Sequence, residues 1–106
     1  MVITHDDLER LIGTDVYGPG GDRIGSVAQF FLDARSGDPV WLTVRTGRFG
    51  TEETFVPLRD ASVTNDRITV AYDKDQVADA PRIDAGGPLT RAEEDELSAF
   101  YGGSPG

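Results

Sequence analysis

A mainly β fold is what this sequence of 106 residues predicts: a small antiparallel barrel of five or six strands with a short helix at each end. Three observations carry that expectation. Short apolar runs alternate with polar residues at a period of two, the spacing of a half-buried strand. Turn-forming residues, 13 glycines among them, separate those runs at short intervals. No internal segment reads as a helix long enough to cross between parallel strands, which argues against an α/β sheet. Closing so short a set of strands on itself would remove exposed edges. The length suits one domain with one modest core.

The elements follow in order. Thr4 to Leu11 reads as a helix, with Thr4 as its cap and Asp7 at the reciprocal capping position. Leu8, Leu11 and Ile12 share one face, and Gly13 stops the helix. So short a helix is marginal alone and needs a surface to lie on. Thr14–Tyr17 is a first strand, broken by Gly18-Pro19-Gly20-Gly21-Asp22. Gly25 to Asp33 resumes as a strand, with Val27, Gln29 and Phe31 on one face and Ala28, Phe30 and Leu32 on the other. Few polar residues interrupt it, so both faces are expected to be partly covered.

Arg35-Ser36-Gly37-Asp38-Pro39 makes the next turn. Val40, Leu42 and Val44 then alternate with Trp41, Thr43 and Arg45. The first three are assigned inward and Trp41 to a rim or beneath a flanking helix. Thr46 to Gly50 is a tight passage, and Thr54 to Leu58 is a short strand whose Pro57 marks an end or an edge. Ala61–Thr64 and Arg67–Tyr72 flank Asn65-Asp66 as a hairpin, with Ile68, Val70 and Tyr72 on one face. Lys74 to Ala80 is one helical turn anchored by Val77. Pro81 to Pro88 is an irregular arm. Thr90 and Glu93 form a capping box for a last helix, whose stripe is Leu97, Phe100 and Tyr101. Glu93 to Glu96 sit in its first turns, where the helix dipole favours acids.

Charge and residue chemistry exclude several functions. Ten basic against 19 acidic side chains leave a net charge of −9. That field repels nucleic acid and anionic lipid, so neither direct nucleic-acid contact nor membrane insertion is expected. A basic protein partner is admitted. Without cysteine there are no disulfides, thiolate nucleophiles or Cys-type metal sites. No apolar run approaches the roughly 20 residues of a membrane span. Met1 to Asp7 lacks the pattern of a signal peptide, so a cytoplasmic location is expected.

His5 is the single histidine, and no Gly-x-Ser-x-Gly elbow accompanies it. A surface or capping role is its natural reading. Asp73, Asp75 and Asp79 lack the glycine and terminal glutamate of a calcium loop and read as a solvated acidic loop, with weak cation binding as the alternative. The glycine-rich run from Gly18 to Gly25 leads into a strand and carries no lysine, so it reads as turn geometry rather than a phosphate cradle. A barrel this small is filled by its own side chains. No catalytic, cofactor-binding or metal residue is therefore assigned, no cofactor is expected, and the chain is not read as an enzyme. The candidate interaction residues are Trp41, Phe49, Leu97, Phe100 and Tyr101. Strand aromatics are more often core than contact surface. The final helix can dock on its own barrel or on a neighbour's, and both remain open.

These pieces together resemble the PRC-barrel domain, the small β-barrel named after the cytoplasmic part of the photosynthetic reaction centre H subunit. The resemblance runs from about Leu11 to Tyr72. It is carried by Gly13, Asp22, Ile24, Gly25 and Val27, then Asp33, Pro39, Val40, Trp41 and Val44. Gly47, Phe49 and Gly50 follow, then Val56-Pro57-Leu58 and the closing Ile68, Val70 and Tyr72. The ending from Leu97 to Gly102 is similar to that of stand-alone bacterial members. In family terms, residues 1–80 are the PRC-barrel domain with its N-terminal helix, and 81–106 are an extended arm and an amphipathic C-terminal helix.

Family roles differ. The H-subunit barrel packs against membrane proteins and helps control proton delivery to a quinone. In the ribosome maturation factor RimM the barrel is one of two domains and assists small-subunit assembly. The membrane-spanning helix of the first and the N-terminal domain of the second have no counterpart in this sequence. What the resemblance implies is the fold and a tendency to bind protein. The expected function is a non-enzymatic interaction module that self-associates as a homodimer or higher homo-oligomer, weakened when Leu97 and Phe100 become polar. The alternatives are an adaptor or assembly factor in an electron-transfer, ribosome-maturation or stress pathway, and a small-ligand or cation binder.

Overall fold

The computed structural model describes residues 5–33, 35–46, 52–64, 67–83, 86–87 and 89–102. The chain begins with α1 (His5–Leu11), then β1 (Asp15–Tyr17), β2 (Arg23–Leu32) and β3 (Pro39–Thr46). β4 (Glu52–Pro57), β5 (Ser62–Thr64) and β6 (Arg67–Thr69) follow, and α2 (Lys74–Ala78) and α3 (Arg91–Phe100) end it. The expected cap Thr4, the passage at Gly47, Phe49 and Gly50, and the turn Asn65-Asp66 lie outside the described residues.

Gly13 ends α1 in the left-handed region at φ 88°, which a residue with a Cβ adopts only under strain. Its N–H donates to the Val27 carbonyl at 2.8 Å, and Val27 N–H donates back to the Thr14 carbonyl at 2.9 Å. The short helix is thereby stitched to β2, and Leu11 is fully buried beneath it. That is the surface such a helix needs.

The sheet order is β4-β3-β2-β1-β6-β5. β1–β2, β2–β3, β3–β4 and β5–β6 pair antiparallel, as expected. β1 and β6 pair parallel, so the sheet is mixed rather than antiparallel throughout. β2 occupies one edge of β1, and the β5–β6 hairpin returns to the other edge with Val16 opposite Ile68. A further correction concerns closure. β4 and β5 stand at opposite ends of the order, and no ladder joins them among the described residues. Among the described residues the sheet is not a closed barrel. Beside β4 lies α2 instead of a strand, and an Arg82–Glu52 ion pair of 2.6 Å ties the following arm to the start of β4. A covering helix is a standard way to blunt an edge.

Two register shifts re-aim β2 and β3. Val27 opposes Val44, but Gln29 opposes Thr43, so Ala28 is an extra residue on β2. Phe31 opposes Trp41, but Leu32 opposes Pro39, so Val40 is an extra residue on β3. A bulge of this kind shifts the inward–outward alternation by one. Val27 and Phe30 therefore share a face, against the strict alternation expected for β2, while Phe31 packs on the other side. Val40 likewise joins Trp41 rather than the inward pair Leu42 and Val44.

Two apolar clusters result, one on each face of the sheet. The inner one gathers Leu11, Val16, Ile24, Val27, Leu42, Val44, Val56, Ile68, Val70 and Val77. The outer one joins Trp41 and Phe55 of the sheet to Ala80, Leu97 and Tyr101, with Phe31, Val40, Leu89 and Phe100 at its edges. α3 thus lies on the outer face of its own sheet, and Trp41 sits beneath it. Its capping box forms as expected: Thr90 Oγ1 accepts from Glu93 N–H at 3.1 Å, and Glu93 Oε1 accepts from Thr90 N–H at 3.0 Å.

Gly25 marks the tightest backbone approach. A Cβ there would meet Val44 Cγ1 at 2.7 Å and would overlap the Arg45 carbonyl oxygen. Only glycine lets β2 cross β3 so closely.

Candidate functional site

The sequence-predicted interaction residues divide by burial. Trp41, Leu97 and Tyr101 are 6%, 0% and 5% exposed, all within the outer cluster. Phe100 is half-buried and meets Tyr101 edge-on, with ring centroids 4.9 Å apart. Phe49 lies outside the described residues. Tyr101 also sits 4.7 Å from the Tyr72 ring, and its hydroxyl donates to the Phe55 carbonyl at 2.6 Å. Burial pushes the Tyr101 phenol above the usual tyrosine range, with the neighbouring Tyr72 adding to the shift.

The acidic candidates do not converge. Asp73 caps α2, its carboxylate accepting from Gln76 N–H at 2.8 Å. Asp79 stands at the C-terminal end of the same helix, and Asp75 is exposed in its first turn. No group of three His, Cys, Asp or Glu residues is placed to hold a metal ion among the described residues. The His5 side chain lies outside them. One polar cluster does form on the outer face, where Glu53 Oε1 accepts from Gln29 Nε2 at 3.0 Å and from Thr43 Oγ1 at 2.9 Å. The second bond satisfies Thr43, whose hydroxyl the sheet buries completely.

Beside α3 the surface opens into a groove of about 590 Å³. Its floor is Phe31, Val40 and Trp41, with Leu32 alongside. One wall is the β2–β3 turn, bearing Asp33 and Arg35, and the other is the start of α3, bearing Leu89, Arg91 and Glu94. The bulge at Val40 and the end of β2 at Leu32 border this opening. Leu32 is 43% exposed, and Ile12 at 52% is the other large exposed apolar residue among those described. Asp33 builds its wall. Its carboxylate accepts from the N–H groups of Arg35 at 2.7 Å and Ser36 at 3.1 Å. Those bonds, and to a lesser degree the Arg35 charge, hold its carboxyl below the usual aspartate range despite full exposure. A second hollow of about 270 Å³ lies between Ile24, Thr46, Thr54 and α2, with Lys74, Glu52 and Arg82 around it.

Sequence reasoning placed Trp41 in a candidate surface but missed Leu32, Asp33, Arg35, Leu89, Arg91 and Glu94 around it. The walls come from two segments far apart in the chain. The one local signal was Leu32, a large apolar residue directly before a turn.

No helix among the described residues is long and apolar enough to cross a membrane. A search of curated proteins finds no match to this chain. Among solved structures, a Pseudomonas aeruginosa protein described as a 16S ribosomal RNA processing protein, RimM, is similar over 64% of this chain and 44% of its own, at 17% identity and a TM-score of 0.48. This chain therefore spans less than half of that protein. The sequence model of the PRC-barrel domain matches residues 4–77, which take in α1, all six strands and most of α2. The chain belongs to the PRC-barrel domain family.

Proposed function

We propose that this chain is a non-enzymatic protein-interaction module that self-associates. One observation carries the reading. Side chains of the chain itself take up both faces of the sheet, the inner cluster against α1 and α2 and the outer cluster against α3. Recognition is left to the surface, where exposed Leu32 adjoins half-buried Phe31 and Val40 between charged walls. Large apolar groups left in contact with water favour association.

The net charge of −9 sets the conditions. Like-charged copies repel at long range, and salt screens that repulsion. In the same reading the protein works in the cytoplasm, and a basic protein is the second kind of partner its charge admits. Leu97 and Phe100 contribute by holding α3 in place beside the groove. Replacing them by polar residues disturbs the fold together with any interface.

Sedimentation velocity from micromolar to millimolar concentration, at low and physiological salt, tests the proposal. The expected result is a concentration-dependent dimer or larger species. A strictly monomeric mass throughout would defeat it.

A further inference from the structure

We infer that the charged rim of the groove between the β2–β3 turn and α3 is the self-association face, met by the same rim of a second copy across a two-fold axis. The inference rests on the self-association reading above and adds the surface. Its starting point is the charge on the two walls. The turn wall carries Asp33 and Arg35, and the helix wall carries Arg91 and Glu94. Each wall holds one acid and one base beside a shared apolar floor.

A partner segment of single sign meets like charge on both walls. An acidic segment also faces the net charge of −9 on the whole molecule. A basic segment must pass two guanidinium groups. The matching surface carries both signs, and a second copy does so when a two-fold axis sets its acids against these bases. An isologous interface requires this self-complementarity: residue i meets residue j, and j meets i. A two-fold that sets the turn wall of one copy against the helix wall of the other puts Arg35 opposite the partner's Glu94, twice. It also brings Asp33 toward the partner's Arg91. The exposed side of Leu32 is covered in the same step.

The experiment is a charge exchange. Arg35→Glu and Glu94→Arg are made separately, because both positions are exposed and outside the two apolar clusters. Each variant alone places like charges opposite each other twice per dimer, and its dissociation constant is expected to rise about tenfold or more. Mixing the two variants restores one native and one reversed attractive pair. The mixture is expected to form heterodimers close to wild-type affinity, read by sedimentation with one variant carrying a fluorophore. Circular dichroism confirms that both fold.

Two failures are distinguishable. Wild-type chain that stays monomeric at millimolar concentration overturns both the inference and the self-association reading. Wild-type dimer that neither substitution weakens, or that mixing does not restore, overturns the groove alone and leaves association to another face.

Discussion

The Tyr101 hydroxyl donates a 2.6 Å hydrogen bond to the carbonyl oxygen of Phe55, 46 residues earlier in the chain, and this bond fastens α3 to β4. The donor is buried, so the bond is unscreened, and the carbonyl has no water to replace it. Around it the Tyr72 and Phe100 rings meet the Tyr101 ring edge-on. The C-terminal helix is thus part of the fold, held by one polar bond inside an apolar cluster.

Tyr101→Phe keeps the ring and deletes the donor. The buried Phe55 carbonyl then lacks its side-chain partner, at a cost of about 1–2 kcal/mol. Urea denaturation followed by circular dichroism measures this. A change below about 0.3 kcal/mol would show that the bond contributes nothing net.

The same phenol sets an alkaline limit. Its folded-state pKa is raised, chiefly by burial. Its stabilising contribution is therefore fully present below the unfolded tyrosine value of about 10 and declines as pH rises above it. Wild-type stability is expected to fall more steeply above that pH than the stability of Tyr101→Phe. Parallel slopes for the two proteins would contradict the assignment.

Leu97→Ala empties a fully buried site in the outer cluster. The expected loss is about 2–4 kcal/mol, borne mainly by the docking of α3. Trp41 is the sole tryptophan and lies in the same cluster, so its fluorescence should shift to the red as the helix loosens. Unchanged emission in the variant would place the helix elsewhere in solution.

Gly25→Ala forces a methyl group into the Arg45 carbonyl and Val44. Backbone cannot move aside as a side-chain end can, so the cost is at the upper end for overpacking, about 3 kcal/mol or more. Thermal melting should show a large drop or no folded protein. A melting temperature within a few degrees of wild type would mean that β2 and β3 are farther apart.

Asp33→Ala removes the acceptor for the Arg35 and Ser36 N–H groups. Both amides are expected to exchange with solvent faster by hydrogen-exchange NMR, while the sheet amides are unaffected. Because the folded Asp33 pKa is lowered, its contribution in wild type is present above about pH 4 and fades as pH falls through the folded value. Wild-type exchange at these two amides should therefore approach that of Asp33→Ala on acidification.

Local signals were the legible ones. The Thr90–Glu93 box, the stop at Gly13, the period-two run from Leu42 to Val44 and the anchor Val77 each depend on residues a few positions apart. Reading β2 by strict alternation failed after Val27, because the extra residue at Ala28 exists only with respect to β3. Val40 was misassigned for the same reason at the other end of that pairing.

Strand content, turn positions and the apolar stripe of the last helix were thus written in the order of the amino acids, since propensity, capping and periodicity act within a few residues. The parallel contact of β1 with β6, the lack of a ladder between β4 and β5 among the described residues, and the groove beside α3 were not. Each depends on which distant segments come together, and only the competition of all the apolar faces for burial settles that.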